Sequence, residues 1–150
     1  MGFGEAIRTC FSKYATFSGR ARRSEYWFFW LFTTIALLVA ELIDAAATGS
    51  RIVETIIGLV LAVPSLAVLV RRLHDVDRTG WWVLLTFVPM IAFIMVAMPV
   101  ARSMLAVYFI LLVVLVVWIV LLVWCCKRGT PGPNRYGSDP FAGAIGAASA

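Results

Sequence analysis

The sequence predicts an all-α integral membrane protein with four transmembrane helices, an N-terminal amphipathic interfacial helix and both termini in the cytoplasm. The first observation is composition. Of the 150 residues, 62% are hydrophobic and 14% are charged, whereas about a quarter of a soluble domain is charged. A chain this short has too little interior to hide so much apolar surface from water. A bilayer provides an apolar solvent instead, so we expect a single membrane domain over residues 1–140.

The second observation is a series of apolar runs, each of them close to the roughly 20 residues that cross a bilayer. We predict spans at about 26–43, 52–70, 82–101 and 104–126. Pro64 lies inside the second span, where it removes the backbone hydrogen bond to the Val60 carbonyl, and we expect a kink there. The stretch 81–126 is interrupted near Pro99–Ser103. It forms either two full spans in a tight hairpin or one span and a re-entrant segment.

The segments outside the spans have distinct patterns. In residues 1–18, apolar side chains recur every three or four positions with charged ones between them, which predicts an amphipathic helix lying in the membrane interface. Residues 71–80 carry the densest group of charges and are predicted to form a loop. Residues 127–140 are rich in Gly, Pro and Asn, so we expect a turn-rich tail. Residues 141–150 are small and predicted to be disordered.

The third observation is the distribution of basic residues. Four spans place both termini and the central loop on one side, and that side then holds eleven of the thirteen Lys and Arg residues. Only Arg51 and Arg102 lie on the other side. Cytoplasmic loops are enriched in Lys and Arg, so the termini and the loop 71–80 are expected to be cytoplasmic. Three polar segments, 19–25, 71–80 and 127–140, would then share one face of the membrane.

These three segments also carry a family resemblance. In order they are GRARRSEYW (Gly19–Trp27), RRLHDVDRTGWW (Arg71–Trp82) and GTPGPNRYGSDP (Gly129–Pro140). They resemble the motifs of the bacterial inner-membrane proteins called domain of unknown function 805. The resemblance covers about residues 10–140, although the apolar run after Trp82 is longer than the family pattern implies. It implies a multi-pass protein of the bacterial inner membrane and no particular activity.

The clustered motifs define a candidate ligand-binding site. Arginine makes bidentate contacts with phosphate and carboxylate groups, and the acids of these motifs could neutralise some of the arginines. The alternative interpretation is a salt-bridge network that joins the three segments and binds no ligand. The candidate residues are Arg20, Arg22, Arg23, Glu25, Arg71, Arg72, His74, Asp75, Asp77, Arg78, Asn134 and Arg135.

Two functional hypotheses follow. The first is a channel or transporter subunit in a homo-oligomer, with the outer acids Glu41, Asp44 and Glu54 at one mouth and a gate at Pro64 or Pro89. The second is a non-catalytic protein that binds anionic membrane lipid or a small anion through the cytoplasmic arginines.

Other classes of function find little support in the sequence. It contains no recognisable catalytic motif, so an enzyme is not favoured. A metal site is not expected because His74 is the single histidine, and no cofactor is implied. Nucleic acid is not expected as a partner either, because the basic residues flank apolar runs instead of forming a patch interleaved with stacking aromatics.

Overall fold

The chain folds into helices joined by short polar connections. The computed structural model describes residues 1–47, 49–88, 91–92, 94 and 104–141. Its elements are α1 (Phe3–Ser12), α2 (Arg23–Ala47), α3 (Ile52–Asp75), a 3₁₀ helix (Gly80–Phe87) and α4 (Met104–Cys126). Within the described ranges, three helices are long and apolar enough to cross a membrane: α2, α3 and residues Val107–Cys126 of α4. The all-helical membrane class is therefore confirmed.

The first helix is shorter than predicted. It ends at Ser12, although the apolar period continues in the sequence to Phe17. The predicted range 1–18 is wrong at its end because Tyr14 turns toward α3 and donates its hydroxyl to the Val60 carbonyl, with an O···O distance of 2.5 Å. That carbonyl is the one left without its helical partner by Pro64. Within α1, Ala6 and Cys10 are buried, and Phe11 packs edge-on against Phe29 of α2 at 5.8 Å.

Helices α2 and α3 form an antiparallel hairpin that contains most of the core. Phe29 of α2 and Leu61 and Val68 of α3 are buried together with Cys10 and Ala21. The hairpin connection is fixed by Asp44, which is 4% exposed. Its carboxylate accepts hydrogen bonds from the backbone amides of Val53 (3.0 Å) and Glu54 (2.8 Å). These amides belong to the first turn of α3 and have no partner within that helix, so Asp44 acts as a cap.

The end of α3 corrects the prediction of a loop over 71–80. The helix continues through Asp75, and every residue from Ala67 to Asp75 is buried. The charged side chains of this turn do not break the helix because each of them finds a protein partner. The end of α3 is therefore enclosed by the α1–α2 connection, the 3₁₀ helix and the C-terminal segment.

The third predicted span differs from a regular α-helix where it begins. Gly80–Phe87 is a 3₁₀ helix, and it runs so close to α3 that a Cβ on Gly80 would lie 2.9 Å from Val70 Cγ1. Trp82 packs against Trp124 near the end of α4 at 5.1 Å. Much of the predicted span 82–101, including Pro89 and Pro99, lies outside the described residues, as do the predicted turn at 99–103 and residues 142–150.

Candidate functional site

A buried carboxylate joins three distant segments at the end of α3. Asp75 is 1% exposed, and its carboxylate accepts hydrogen bonds from Arg20 Nε at 2.9 Å and from Arg72 Nη1. Asp75 also binds the C-terminal segment through its backbone carbonyl, which accepts from the Thr130 amide at 2.8 Å. A buried charge is tolerated only when it is paired and hydrogen-bonded, and Asp75 meets both conditions.

The two arginines on Asp75 use their remaining nitrogens on backbone carbonyls. Arg20 donates through Nη1 to Gly132 and through Nη2 to Thr130, each at 2.6 Å. Arg72 donates through Nε to the Cys125 carbonyl at 3.2 Å and through Nη2 to the Lys127 carbonyl. These contacts hold the C-terminal segment on the ends of α3 and α4. They match the interpretation in which ion pairs join the three motif segments.

A second buried ion pair lies between α2 and α3. Arg71 Nη2 donates to Glu25 Oε1 at 3.0 Å, with side-chain exposures of 1% and 5%. The Cys10 thiol contacts the same oxygen with a sulfur-to-oxygen distance of 3.9 Å. Burial, followed by the charge of Glu25, raises the pKa of Cys10 to about 12, so this thiol is unreactive near neutral pH. Nε and Nη1 of Arg71 have no hydrogen-bond partner among the described residues.

His74 and Asn134 dock the C-terminal turn onto α3. The ring of His74 stacks on Tyr136 at 3.9 Å between centroids, and its Nδ1 lies 3.2 Å from the Gly19 carbonyl. That nitrogen must carry a proton, because a carbonyl oxygen only accepts. Asn134 donates through Nδ2 to the His74 carbonyl at 2.9 Å. Both side chains thus have structural partners.

Three of the candidate residues lie on a more exposed face. Arg135 Nε pairs with Asp77 Oδ1 at 3.0 Å, and the two side chains are 56% and 48% exposed. Asp77 has a φ of 56°, a left-handed conformation that Asp adopts more readily than most residues. The guanidinium of Arg78 lies over Trp124, 5.1 Å from the ring centroid.

A cavity of about 530 Å³ opens beside the Asp75 cluster. Arg23 and Arg128 line it and are exposed. Arg23 makes one hydrogen bond, from Nη1 to the Cys126 carbonyl at 3.3 Å, and Arg128 has no hydrogen bond or ion pair within the described ranges. The remaining lining residues are Arg20, Asp75, Gly129, Thr130, Pro131, Asp139 and Phe141.

The far wall of the cavity is shaped by a short turn at residues 132–141. The Asp139 carboxylate accepts hydrogen bonds from the amides of Phe141 at 2.9 Å and Gly132 at 3.0 Å. These bonds, the one from Phe141 first, lower the pKa of Asp139. Arg22 donates through Nε to the Pro140 carbonyl at 2.9 Å, and its guanidinium lies 4.8 Å from the centre of the Phe141 ring.

The structure divides the predicted site residues into groups. Arg20, Arg22, Arg23, Arg72 and Asp75 lie at the cavity or directly behind it. The other seven do not line it: Glu25 and Arg71 form a separate buried pair, His74 and Asn134 dock the tail, and Asp77, Arg78 and Arg135 are on the exposed face. Their assignment to ligand binding stays a prediction.

Arg128 and Gly129 line the cavity, although neither is among the site residues predicted from the sequence. Arg128 lies between the last span and the GTPG motif, and this position could have marked it as a candidate site residue. A glycine at position 129 lets the backbone of the C-terminal segment approach the Asp75 carboxylate closely, because a Cβ there would lie 2.1 Å from Asp75 Oδ2. That contact joins residues more than fifty positions apart, so no local pattern in the sequence reveals it.

Comparison with known proteins agrees with this arrangement of motifs. Residues 14–138 match the family described as Protein of unknown function (DUF805). The chain is 38% identical over 132 residues to the inner membrane protein YhaH of Escherichia coli (strain K12), covering 85% of this chain and 88% of the relative. It is 38% identical over 141 residues to the inner membrane protein YhaI of the same strain, covering 87% and 90%. No solved structure matches the chain significantly. The chain therefore belongs to the DUF805 family and is a multi-pass protein of the bacterial inner membrane.

Proposed function

We propose that this inner-membrane protein binds a phosphate-bearing anion in the cavity between Arg23 and Arg128, without catalysing a reaction on it. The observation that carries the proposal is the difference between two sets of arginines. Every guanidinium nitrogen of Arg20 and Arg72 donates to Asp75 or to a backbone carbonyl. Arg23 and Arg128 retain donors at the cavity. Guanidinium groups match the geometry of phosphate oxygens and remain charged at all physiological pH values.

The charge balance around the cavity supports an anion. Five guanidinium groups border the cavity or lie directly behind it, against two carboxylates, Asp75 and Asp139. Asp75 is already shared by two arginines, and Asp139 accepts hydrogen bonds from two backbone amides. An excess of positive charge therefore remains on Arg22, Arg23 and Arg128. A phosphate group, from a lipid headgroup or from a small phosphorylated molecule, supplies the charge and the acceptors that this surface lacks.

The test is the double substitution Arg23→Gln/Arg128→Gln. Both side chains are exposed, so the fold should tolerate the change. We expect glycerol 3-phosphate and phosphatidylglycerol to bind the variant at least about tenfold more weakly, since a hydrogen bond to a charged group contributes about 1.5–3 kcal/mol. The matched control is Arg8→Gln/Arg51→Gln, which makes the same change in net charge at exposed arginines away from the cavity. Equal binding of both probes by the two double variants would refute the assignment.

The proposal places the site on the cytoplasmic side and requires four spans. The segment after Gly80 runs antiparallel to α4: Trp82 contacts Trp124, and Val88 and Ile91 share a cavity with Phe109 and Val113. This path leads away from the cluster at Asp75 toward the beginning of α4, which is about 34 Å from its end at 1.5 Å per residue. A crossing here keeps both termini on the side with most of the basic residues. Reporter fusions at the two termini should give the same cytoplasmic signal, and opposite signals would refute four spans.

The channel or transporter hypothesis has less support from the contacts. It assigned the outer acids to a pore mouth, yet Asp44 caps α3 and Glu54 pairs with Arg51 at 2.7 Å. Two of the three acids thus have local structural roles. The suggested gate at Pro89 lies outside the described residues. Anion binding is therefore the hypothesis that the described side chains favour.

A further inference from the structure

We propose that the bound anion is a membrane phospholipid, with its phosphate at Arg23 and Arg128 and one acyl chain in an apolar groove between α2 and α4. This inference rests on the proposed function, because it names the class of ligand for the same cavity. It is carried by a second cavity, which is lined mainly by apolar side chains of α2, α4 and the 3₁₀ helix.

The groove has a volume of about 260 Å³ and a predominantly apolar lining. Helix α2 contributes Trp27 and Trp30, α4 contributes Val117 and Leu122, and the 3₁₀ helix contributes Leu85. No charged side chain lines it. A small anion would find no cationic partner among these lining residues, whereas a hydrocarbon chain needs none.

The groove and the cationic cavity are lined by neighbouring residues of the same two chain segments, α2 and the end of α4 with the residues that follow it. Arg23, Trp27 and Trp30 are at positions i, i+4 and i+7 of α2, so they lie on one face of the helix over about 10 Å. On α4, Val117, Leu122 and Cys125 line the groove, and the chain then continues to Arg128 at the cavity. The hydrogen bond from Arg23 Nη1 to the Cys126 carbonyl joins α2 to α4 between the groove residue Cys125 and the cavity residue Arg128. A molecule with an anionic end and an apolar end matches this order.

The depth of the site favours a lipid over a free phosphate. Tryptophans of membrane proteins concentrate at the level of the lipid headgroups, and Trp27 and Trp30 line the groove one and two turns along α2 from Arg23. The phosphate of a bilayer lipid is therefore already at the height of Arg23. An acyl chain leaves one apolar medium for another when it enters the groove, so tight packing, and not the hydrophobic effect, holds it there. The contacts of the headgroup phosphate with Arg23 and Arg128 therefore provide most of the affinity, and the groove favours ligands that carry an acyl chain.

Two neighbouring valines on α4 provide a matched test. Val117 lines the groove, whereas Val116 does not and is 50% exposed. We expect Val117→Trp to fill the groove and to reduce phosphatidylglycerol retained in native mass spectrometry at least tenfold relative to wild type. Val116→Trp should retain lipid as wild type does. Binding of water-soluble glycerol 3-phosphate should be the same in all three proteins, because it occupies the polar cavity alone. Leu122→Trp, at a groove position that is 51% exposed, repeats the test at a second residue that lines the groove.

The outcomes separate the two proposals. Equal lipid retention by Val116→Trp and by the groove variants would overturn the lipid inference, even if glycerol 3-phosphate binding still depends on Arg23 and Arg128. Loss of glycerol 3-phosphate binding in Val117→Trp would also overturn it, because the groove would then not be a separate chain site. If Arg23→Gln/Arg128→Gln changes neither probe, the proposed function itself fails. Phosphatidylcholine, which carries the same chains on a zwitterionic headgroup, should be retained less than phosphatidylglycerol by wild type, and equal retention would overturn the role of the charge.

Discussion

Replacing Asp75 by asparagine should destabilise the protein more than any other single neutralisation of an acid in the motif segments. Arg20, Arg72 and Asp75 have side-chain exposures of 2%, 0% and 1%. Asparagine has one acceptor oxygen, so its amide group would face one of the two guanidinium groups as a second donor. Removing one partner of a buried ion pair costs about 3–5 kcal/mol. At about 1.4 kcal/mol per factor of ten, this lowers the ratio of folded to unfolded protein by roughly two to three and a half orders of magnitude.

The matched control is Asp77→Asn, two residues along the chain. Asp77 pairs with Arg135, but the two side chains are about half exposed, and exposed pairs contribute about 0–1 kcal/mol. Thermal unfolding in detergent, followed by tryptophan fluorescence, should give a Tm about 6–20 °C below wild type for Asp75→Asn, at about 2–4 °C per kcal/mol. Asp77→Asn should remain within a few degrees of wild type.

A second readout is the attachment of the C-terminal segment. Because Arg20 and Arg72 hold the carbonyls of Lys127, Thr130 and Gly132, Asp75→Asn should also release this segment and speed tryptic cleavage after Arg128. Equal Tm values for the Asp75 and Asp77 variants, with equal cleavage rates, would refute the central role of the buried carboxylate.

The same contact can be perturbed from the opposite side. Gly129→Ala would place a Cβ 2.1 Å from Asp75 Oδ2, so the carboxylate or the C-terminal segment must move. We expect a loss of about 1–3 kcal/mol, the range for overpacking a well-packed site. Gly4→Ala is the control, because its Cβ would meet no atom within 4 Å, and alanine is favoured over glycine in a helix by about 1 kcal/mol. A neutral Gly129→Ala variant would mean that the close approach is not needed.

Three further predictions concern the supports around the site. Tyr14→Phe should lose about 0.5–1.5 kcal/mol in the wild-type background and nearly nothing with Pro64→Ala, because alanine restores the helical partner of the carbonyl that Tyr14 binds; additivity in this double-mutant cycle would contradict the account. Asp44→Ala should lose about 0.5–2 kcal/mol through the lost cap, whereas Glu41→Ala, at an exposed position, should unfold at the wild-type temperature. The pKa of Asp139 is lowered in the folded protein. The stability that its carboxylate contributes is therefore fully present above the ordinary pKa of about 4, and it is lost as the pH falls through the lower pKa of the folded state. The amide proton shifts at the Asp139 turn should report that loss, and Asp139→Asn should abolish the pH dependence.

The membrane class and the positions of the long helices could be derived from the sequence. Apolar runs near twenty residues are diagnostic because a bilayer offers no water to unpaired backbone groups, so a span must be helical and of nearly constant length. The charges at Arg71 and Arg72 misled the prediction of where α3 ends. Consecutive charges are typical of a solvent-exposed loop. The buried partners that allow the helix to continue, Glu25 and Asp75, are visible only in the tertiary structure.

The candidate site depended more strongly on tertiary structure. The sequence identified the three segments that pack together at the end of α3, because each of them groups basic residues beside an apolar run; the assignment of Arg22 and Arg23 within them to ligand binding stays a prediction. The sequence could not say which arginines are bound internally and which remain available to a ligand. That distinction arises from contacts such as Arg20 with Thr130, between residues 110 positions apart, and from the close approach at Gly129. Periodicity and composition report a residue's local surroundings, whereas the pairing of charges is decided by which distant segments pack together.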